Sequence, residues 1–252
     1  MKDDDWAFPL WIAHRGAGRL APENTLAAFR QGAAHGYRAF ECDVKLSADG
    51  VPFLLHDATL ERTTGEHGIA GDRTWAELSR IDAGGWHSRA YAGEPLPSLQ
   101  GIVRYVQRNG FALNVEIKPS PGIEHRTGVA VGEACTRLWQ KDCTAPLFFS
   151  SFRPEALQGA REGAPAIKRA LLVDSLWSGW LEIALSLDCV AVVTNHALMD
   201  AALHAQLQDA GLRALCYTVN DPAEARRLVD LGIDGLITDA VDRFSPGTDV
   251  AD

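Results

Sequence analysis

Short apolar runs alternate with longer amphipathic segments along almost the whole chain, and this alternation is the strongest constraint on its fold. Short apolar runs predict buried strands, and apolar residues spaced three or four apart predict helices. We predict nine strands, over residues 9–13, 39–44, 51–55, 111–117, 147–150, 169–173, 189–193, 213–219 and 235–238. We predict six helices, over residues 25–35, 99–108, 125–141, 154–159, 200–210 and 222–231.

Alternating strands and helices form a parallel sheet that is covered by helices. A chain of 252 residues with 46% hydrophobic composition can bury one large core and lies in the size range of single-domain α/β barrels. No G-x-G-x-x-G motif follows a predicted strand, which argues against an open dinucleotide-binding sheet. We therefore predict an α/β fold, a (β/α)8 TIM barrel, as one domain over residues 1–252.

Nine predicted strands are one more than this barrel needs. The connection between the second and third strands is too short for a helix and contains Asp49-Gly50, which is a hairpin signal. We therefore expect residues 39–55 to begin as an antiparallel ribbon. A turn near Ala48 and Asp49 would bring His56 back opposite Glu41.

The segment of about residues 58–98, after the third strand, is rich in glycine and carries only a brief helical pattern over residues 75–81. A connection of this length inside a compact domain is usually functional or a small insertion. We predict a small insertion that lies over the barrel mouth.

The charge of the chain limits its partners. Its formal net charge is −9, and neither lysine nor arginine forms a run, so we expect no nucleic-acid partner and no stable membrane association. The five cysteines are dispersed and include no C-x-x-C pair, which fits a reducing compartment. The acidic amino terminus resembles neither a signal peptide nor a membrane span, and we expect a cytoplasmic protein.

Three carboxylates follow from the strand pattern as candidate metal ligands. Glu41 and Asp43 stand two residues apart on a strand, so their side chains share one face, and Glu116 ends another strand. Carboxylates this close repel each other unless a cation lies between them, and oxygen ligands suit Mg²⁺ or Ca²⁺. The alternative for an isolated E-x-D is a solvated strand end, or pairing with Arg38 or Lys45.

Two histidines and two permanent cations accompany these carboxylates. His14 and His56 each end an apolar run, and histidine suits proton transfer near neutral pH. Either histidine alone is more often a structural hydrogen-bonding group. Arg15 and Lys118 lie next to these clusters and are suited to hold phosphate oxygens, although each is also a possible ion-pair partner of the carboxylates.

Other strand ends carry weaker signals for a binding site. Phe152 and Tyr217 would form apolar walls at the same rim, and Asn220 would add a hydrogen-bonding group. Residues of these types are more often simple packing groups. Together with the charged clusters, they favour metal-assisted chemistry on a phosphate ester.

The same clusters, in the same order, resemble the glycerophosphodiester phosphodiesterases, and most closely the short bacterial cytoplasmic members. The resemblance covers the chain from about His14 to Asp239. It rests on these motifs: His14-Arg15-Gly16, Pro22-Glu23-Asn24-Thr25, Glu41-x-Asp43, His56-Asp57, Leu60-x-Arg62-Thr63-Thr64, Glu116-Ile117-Lys118, Ser151-Phe152, Tyr217-Thr218-Val219-Asn220 and Asp234-Gly235-x-x-Thr238-Asp239.

This resemblance implies hydrolysis of glycerophosphodiesters, such as glycerophosphocholine or glycerophosphoethanolamine, to sn-glycerol 3-phosphate and an alcohol. It implies that a divalent cation binds to Glu41, Asp43 and Glu116. By the same resemblance Arg15 and Lys118 contact the phosphate. Tyr217 departs from the tryptophan common in the family.

The resemblance also implies that the two histidines form the acid and base pair. By analogy with related phosphodiesterase barrels, we expect His14 as the base and His56 as the acid, with a cyclic phosphate intermediate. Attack by water instead of the glycerol 2-hydroxyl stays open.

Two other functions remain possible from the sequence. A phosphoinositide-type phospholipase C would use a similar barrel and histidine pair, but it would need a bilayer-binding surface, and the chain has no basic amphipathic helix. A non-catalytic barrel that binds a phosphorylated ligand would not need an acid and base pair. The sequence leaves open the head group, Mg²⁺ or Ca²⁺, and the oligomeric state.

Overall fold

The structure is a computed structural model that describes residues 6–139, 145–244 and 246. Its strands are β1 (Trp11–Ala13), β2 (Ala39–Leu46), β3 (Pro52–Leu54), β4 (Ala112–Ile117), β5 (Leu147–Ser151), β6 (Lys168–Val173), β7 (Ala191–Asn195), β8 (Arg213–Tyr217) and β9 (Gly235–Thr238). Its α-helices are α1 (Leu26–Ala34), α2 (Trp75–Leu78), α3 (Leu99–Asn109), α4 (Glu124–Leu138), α5 (Pro154–Gly163), α6 (Trp180–Ser186), α7 (Ala201–Asp209) and α8 (Pro222–Leu231).

Eight parallel strands close into a barrel in the order β1-β2-β4-β5-β6-β7-β8-β9, and β9 pairs with β1. This confirms the predicted (β/α)8 TIM barrel. One apolar layer lies between the strands and the helices. A second layer fills the barrel interior with residues such as Ile12, Phe148, Val193 and Leu215.

The inward face of two strands changes from apolar to acidic toward their carboxyl ends. Ala39 and Ala112 point into the interior layer. Side chains alternate along a strand, so Glu41 and Asp43 project on the same face as Ala39, and Glu116 on the same face as Ala112. The pattern that builds the core therefore also places the three carboxylates at the barrel mouth.

One of the nine strands, β3, lies outside the ring and forms the predicted antiparallel ribbon with β2. β3 pairs with the end of β2 that extends beyond the barrel, with Val44 opposite Leu54. The predicted position of His56 opposite Glu41 is wrong by one residue. The loop has three residues and ends at Gly50 with φ +80°, so the register continues to place His56 opposite Cys42.

The segment between β3 and α3 has an apolar cluster of its own, which includes Phe53, Leu60, Leu78 and Leu96. Contacts join it to the first strand-to-helix connection of the barrel. The carboxylate of Glu94 accepts a hydrogen bond from the backbone N–H of Ala27 at 3.0 Å. The predicted insertion is therefore a packed substructure on one side of the barrel mouth.

Most predicted helices are present with shifted ends, whereas α6 was not predicted. Asp200 and Asp221 begin α7 and α8, and their side chains accept hydrogen bonds from backbone N–H groups of the first turn. The described cysteines, Cys42, Cys135, Cys189 and Cys216, are buried and free. The predicted helix end at residues 140–141 and Cys143 lie outside the described residues. Within the described part of the chain, no helix is long and apolar enough to cross a membrane.

The packing of α4 against α5 depends on glycine. A Cβ atom at Gly128 would clash with the backbone carbonyl oxygen of Ala156, and one at Gly159 with that of His125. The two helix backbones are therefore in direct contact, and neither can take a side chain at the crossing point without moving apart.

We expect Gly159→Ala to lower the free energy of unfolding by about 3 kcal/mol, because overpacking at a backbone contact forces the helices apart. Gly101→Ala is the matched control, since a Cβ there meets only the Ser98 hydroxyl at 3.6 Å. The control should be neutral or stabilising by up to about 1 kcal/mol. Urea denaturation measures both, and equal stability of the two variants would contradict the proposed contact.

Candidate active site

The predicted site residues converge at the carboxyl end of the barrel around one cavity. Those that line it are His14, Arg15, Glu41, His56, Glu116, Lys118, Phe152 and Tyr217. Asp43 is buried beside the cavity, and Asn220 bonds to a residue behind it. Residues from six separate segments of the chain are thus brought together, which the sequence order alone does not show.

Glu41, Asp43 and Glu116 form a compact buried cluster. One carboxylate oxygen from each lies within 4.8 Å of the others. Glu41 Oε1 and Asp43 Oδ1 are buried and accept no hydrogen bond from the described residues. Buried acceptors without partners are costly, and a cation is the ligand that would satisfy them. The donor set and its geometry therefore fit a hard divalent cation.

The charges of the cluster are divided unevenly. Burial, and after it the charge of Asp43, raise the pKa of Glu41 to about 8. Burial would also raise the pKa of Asp43, but the nearby Lys118 and Arg15 cations lower it well below its ordinary value. Burial and Asp43 raise the pKa of Glu116. Without a cation, the cluster thus stabilises one carboxylate charge and disfavours the other two.

Arg15 and Lys118 flank Asp43 from two sides. Lys118 Nζ lies 2.9 Å from Glu116 Oε1 and 3.3 Å from Asp43 Oδ1, and Arg15 Nε lies 3.3 Å from Asp43 Oδ2. Arg15 has a left-handed backbone with φ +51°, and its N–H donates to Glu41 Oε2 at 2.9 Å. A strained backbone at this position indicates that the surrounding structure fixes the guanidinium.

The alternative partners of Glu41 and Asp43 are engaged elsewhere. Arg38 donates to the backbone carbonyl of Tyr37 at 2.9 Å, and Lys45 donates to that of Lys118 at 3.0 Å. Glu41 and Asp43 are also buried, so the E-x-D pair is not a solvated strand end.

His14 forms a pair with Asp239, which follows β9. The distance from His14 Nδ1 to Asp239 Oδ1 is 2.6 Å, and Nε2 lies 3.8 Å from Glu41. Burial lowers the pKa of His14, but the hydrogen bond to Asp239 and the charge of Glu41 raise it overall. Asn220 donates to Asp239 at 3.2 Å and accepts from its backbone N–H at 2.8 Å, so it holds this carboxylate in place.

His56 is oriented in the same way by its neighbour. His56 Nδ1 lies 2.7 Å from Asp57 Oδ1. Burial lowers the pKa of His56, and the positive charges of Arg15 and Lys118 lower it further, against the opposing effect of Asp43. Both ring systems therefore have one nitrogen fixed by a carboxylate and the other free to face the cavity.

Arg62 from the insertion connects the two sides of the site. Its guanidinium donates to Asp57 at 2.6 and 3.0 Å and to Glu23 at 2.7 and 2.8 Å. Glu23 in turn accepts from Arg15 at 2.8 Å. An ion-pair chain thus runs from Arg15 through Glu23, Arg62 and Asp57 to His56.

Several supporting residues were quoted only as motif positions in the sequence. Asn24 donates to Asp43 Oδ2 at 2.7 Å and accepts from its backbone N–H at 3.0 Å. Asp239, Asp57, Glu23 and Arg62 were likewise given no role. Their only signal in the sequence was membership of the ordered motifs. Asp57 orients the neighbouring His56, whereas Asp239 and Arg62 have partners 225 and 39 residues away.

An apolar wall faces the charged groups. The rings of Phe152 and Tyr217 meet edge to face with centroids 5.7 Å apart, and Lys118 Nζ lies 5.8 Å from the Phe152 centroid. One side of the cavity is therefore charged and the other is largely apolar.

Comparison with known proteins agrees with this geometry. Residues 14–243 match the model of the glycerophosphoryl diester phosphodiesterase family. The chain belongs to the glycerophosphoryl diester phosphodiesterase family. A glycerophosphodiester phosphodiesterase from Caldanaerobacter subterraneus is 31% identical over 235 residues, which cover 91% of this chain and 93% of the relative.

Solved structures of family members share the fold. A phosphodiesterase from Oleispira antarctica in complex with the product sn-glycerol-3-phosphate has a TM-score of 0.88 and 36% identity, covering 94% of this chain and 95% of that one. A glycerophosphodiester phosphodiesterase from Agrobacterium tumefaciens has a TM-score of 0.80 and 28% identity, covering 94% and 99%. Membership of the glycerophosphoryl diester phosphodiesterase family makes this chain a phosphoric diester hydrolase.

We expect Arg62→Gln to lower kcat by roughly 10- to 100-fold, because small displacements of reacting groups have effects of this size. The change removes the charged donor that holds Asp57 and Glu23, which orient His56 and Arg15. Arg73→Gln is the matched control within the insertion, since Arg73 pairs with the exposed Glu66 at 3.3 Å.

Steady-state kinetics gives kcat and thermal melting gives the stability of both variants, which together test this prediction. Arg62→Gln should lose activity at assay temperatures where it stays folded. Wild-type kcat in a folded Arg62→Gln protein would show that the ion-pair chain does not orient the site.

Proposed function

We propose that the chain hydrolyses glycerophosphodiesters to sn-glycerol 3-phosphate and an alcohol in a divalent-cation-dependent reaction with histidine acid and base groups. The observation that carries this proposal is one cavity that joins three buried carboxylates, two carboxylate-oriented histidines and two cations. Acid and base groups and a cation site each assist phosphodiester cleavage, whereas a site that only binds a phosphate has no use for an acid and base pair.

Glu41, Asp43 and Glu116 would hold the cation, Mg²⁺ or Ca²⁺. When bound, such an ion polarises a phosphoryl oxygen and offsets charge that develops on the phosphate. Arg15 and Lys118 would contact the remaining phosphate oxygens. Asp43 keeps both of these side chains beside the cluster at 3.3 Å, so little reorganisation is needed when the anionic substrate enters.

His14 would act as the base and His56 as the acid. Burial favours the neutral, proton-accepting imidazole of His14, whereas the hydrogen bond to Asp239 and then the charge of Glu41 raise its pKa; a cation on Glu41 would offset the second of these two effects. A phosphodiester anion near His56 opposes the effects that lower its pKa and favours the protonated form. Nδ1 of each ring stays on its aspartate, so Nε2 accepts the proton in one case and donates it in the other.

The product complex of the relative from Oleispira antarctica supports a glycerol phosphate product. It favours glycerophosphodiesters over the phosphoinositide lipids of the alternative phospholipase function. We propose Phe152 and Tyr217 as the apolar wall along the bound substrate. Asn220 would act on the substrate only indirectly, through Asp239, because its side chain is hydrogen-bonded to that residue.

We expect metal-stripped protein to be inactive toward a panel of glycerophosphodiesters and to regain activity when Mg²⁺ or Ca²⁺ is added. The panel contains the choline, ethanolamine, glycerol and inositol esters, with intact phospholipid vesicles as the alternative substrate. Enzymatic detection of sn-glycerol 3-phosphate measures turnover. Full activity in excess chelator after dialysis would contradict the metal assignment, and cleavage of vesicles alone would favour the phospholipase.

Stability provides a second readout of the metal site. The pKa of Glu41 is about 8 in the folded protein against an ordinary value of 4.5, so its contribution is fully present below pH 4.5 and declines as the pH rises through about 8. We expect the free energy of unfolding of chelated protein to decline across this window. Added cation should abolish the decline.

Glu41→Gln is the isosteric control for this measurement, because the amide carries no charge to bury. The variant should show a smaller decline with pH and a weaker response of its melting temperature to cation. Equal cation responses in the two proteins would show that the ion binds elsewhere.

We expect His14→Ala and His56→Ala each to lower kcat on the choline ester by roughly 10²- to 10⁴-fold. A p-nitrophenyl ester of glycerol phosphate needs little help from an acid, because p-nitrophenolate is a stable leaving group. It should restore much of the turnover of His56→Ala and little of that of His14→Ala. If the p-nitrophenyl ester restores the turnover of His14→Ala instead, His14 is the acid and His56 the base. If it restores both variants equally, neither histidine is the acid.

A further inference from the structure

Asp174 is a charged group in the cavity that the proposed chemistry does not use. It is the first residue after β6, it is exposed, and it lines the same cavity as His14 and Lys118. In the eight-stranded ring β6 is four strands from β1 in either direction, so Asp174 lies across the mouth from His14. A substrate whose phosphate sits at the charged side therefore extends one arm toward Asp174.

Asp174 has no cationic partner among the residues that the structure describes. Its Oδ1 accepts a hydrogen bond from Ser175 Oγ at 3.1 Å, and among the described residues it forms no ion pair. Both permanent cations of the cavity, Arg15 and Lys118, are engaged by Asp43 and other carboxylates. The far side of the cavity thus presents one uncompensated carboxylate to whatever enters.

Apolar and aromatic residues line part of the same cavity. These are Leu172, Ile237, Phe152 and Tyr217, of which the last two form the edge-to-face pair, and Lys118 Nζ lies 5.8 Å from the Phe152 centroid. Tyr217 is close enough to Asp174 for that charge to raise the pKa of its phenol, in addition to the larger effect of burial. A carboxylate beside aromatic rings is the combination that binds organic ammonium groups, through charge attraction and cation–π contacts.

We propose that Asp174, with Phe152 and Tyr217, forms a subsite for an ammonium group on the alcohol arm of the substrate. What the subsite adds is a preference, among glycerophosphodiesters, for an alcohol arm that carries a positive charge, and Asp174 is the residue that sets it. This inference rests on the proposed function and adds to it a preference for one kind of head group. A neutral head group gains nothing from the carboxylate, and an anionic one is repelled by it.

The test compares two esters that differ only in charge. Glycerophosphocholine is paired with the 3,3-dimethylbutyl ester of glycerol phosphate, in which a quaternary carbon replaces the nitrogen. We expect wild-type kcat/KM to favour the choline ester by roughly fivefold to tenfold, the size of one exposed charge contact in water. In Asp174→Asn, which keeps an acceptor for Ser175, the ratio should fall to near one.

Asp209→Asn is the matched control, because Asp209 is an exposed aspartate at the end of α7, away from the cavity lining. It should keep the wild-type ratio. The wild-type ratio should also shrink as salt is raised, whereas that of Asp174→Asn should not change. Tyr217→Phe should retain the preference and Tyr217→Leu should reduce it, since only the first keeps the ring.

An unchanged ratio in Asp174→Asn, or an equal loss on both esters, would overturn the subsite and leave the proposed function intact. Failure of wild-type protein to cleave either ester with cation present would contradict the proposed function instead. In that case calorimetry measures the Kd of each of the two esters for wild type and for Asp174→Asn. Tighter binding of the choline ester by wild type alone supports the subsite, and equal ratios in the two proteins overturn it.

Discussion

The rest of the site depends on the repulsion among three carboxylates that the barrel forces into its interior. Strand alternation keeps Glu41, Asp43 and Glu116 buried, so the protein must compensate their charge locally. Arg15 and Lys118 favour the ionised form of Asp43 most, although Lys118 also pairs with Glu116 at 2.9 Å and the Arg15 N–H donates to Glu41. The pKa values of Glu41 and Glu116 stay raised nonetheless. A bound cation would therefore relieve an unfavourable electrostatic interaction that the folded chain already contains.

The same ion pairs also set the positions of the reacting groups. Each histidine is fixed at Nδ1 by an aspartate, and each aspartate is fixed in turn, Asp239 by Asn220 and Asp57 by Arg62. Holding a group through two successive shells limits its motion more than a single hydrogen bond can. Through Arg62, the segment between β3 and α3 therefore helps to position His56, although the barrel closes its ring of hydrogen bonds without it.

Much of this arrangement was predictable, because periodicity and motif order act locally. Runs of residues that report on their own strand predicted the barrel, the additional strand and the shared face of Glu41 and Asp43. The order of the motifs indicated the family. The register of His56 could not be predicted, because it depended on whether the turn holds two residues or three. Helix α6 was missed in a segment where the polar and apolar residues are poorly separated. Asp239 and Arg62 act through partners 225 and 39 residues away, and no local pattern encodes such a pairing.

The overhang of β2 beyond the barrel separates the entrance of the cavity from the hydrogen bonds that close the ring. β3 pairs with that overhang and, through Phe53 and Leu54, with residues 97–98, so His56 is carried at the end of a hairpin at the rim. These pairings lie outside the eight-stranded ring. The segment after Asp57 could therefore change in length without disturbing the register that aligns the acidic residues of β2 and β4.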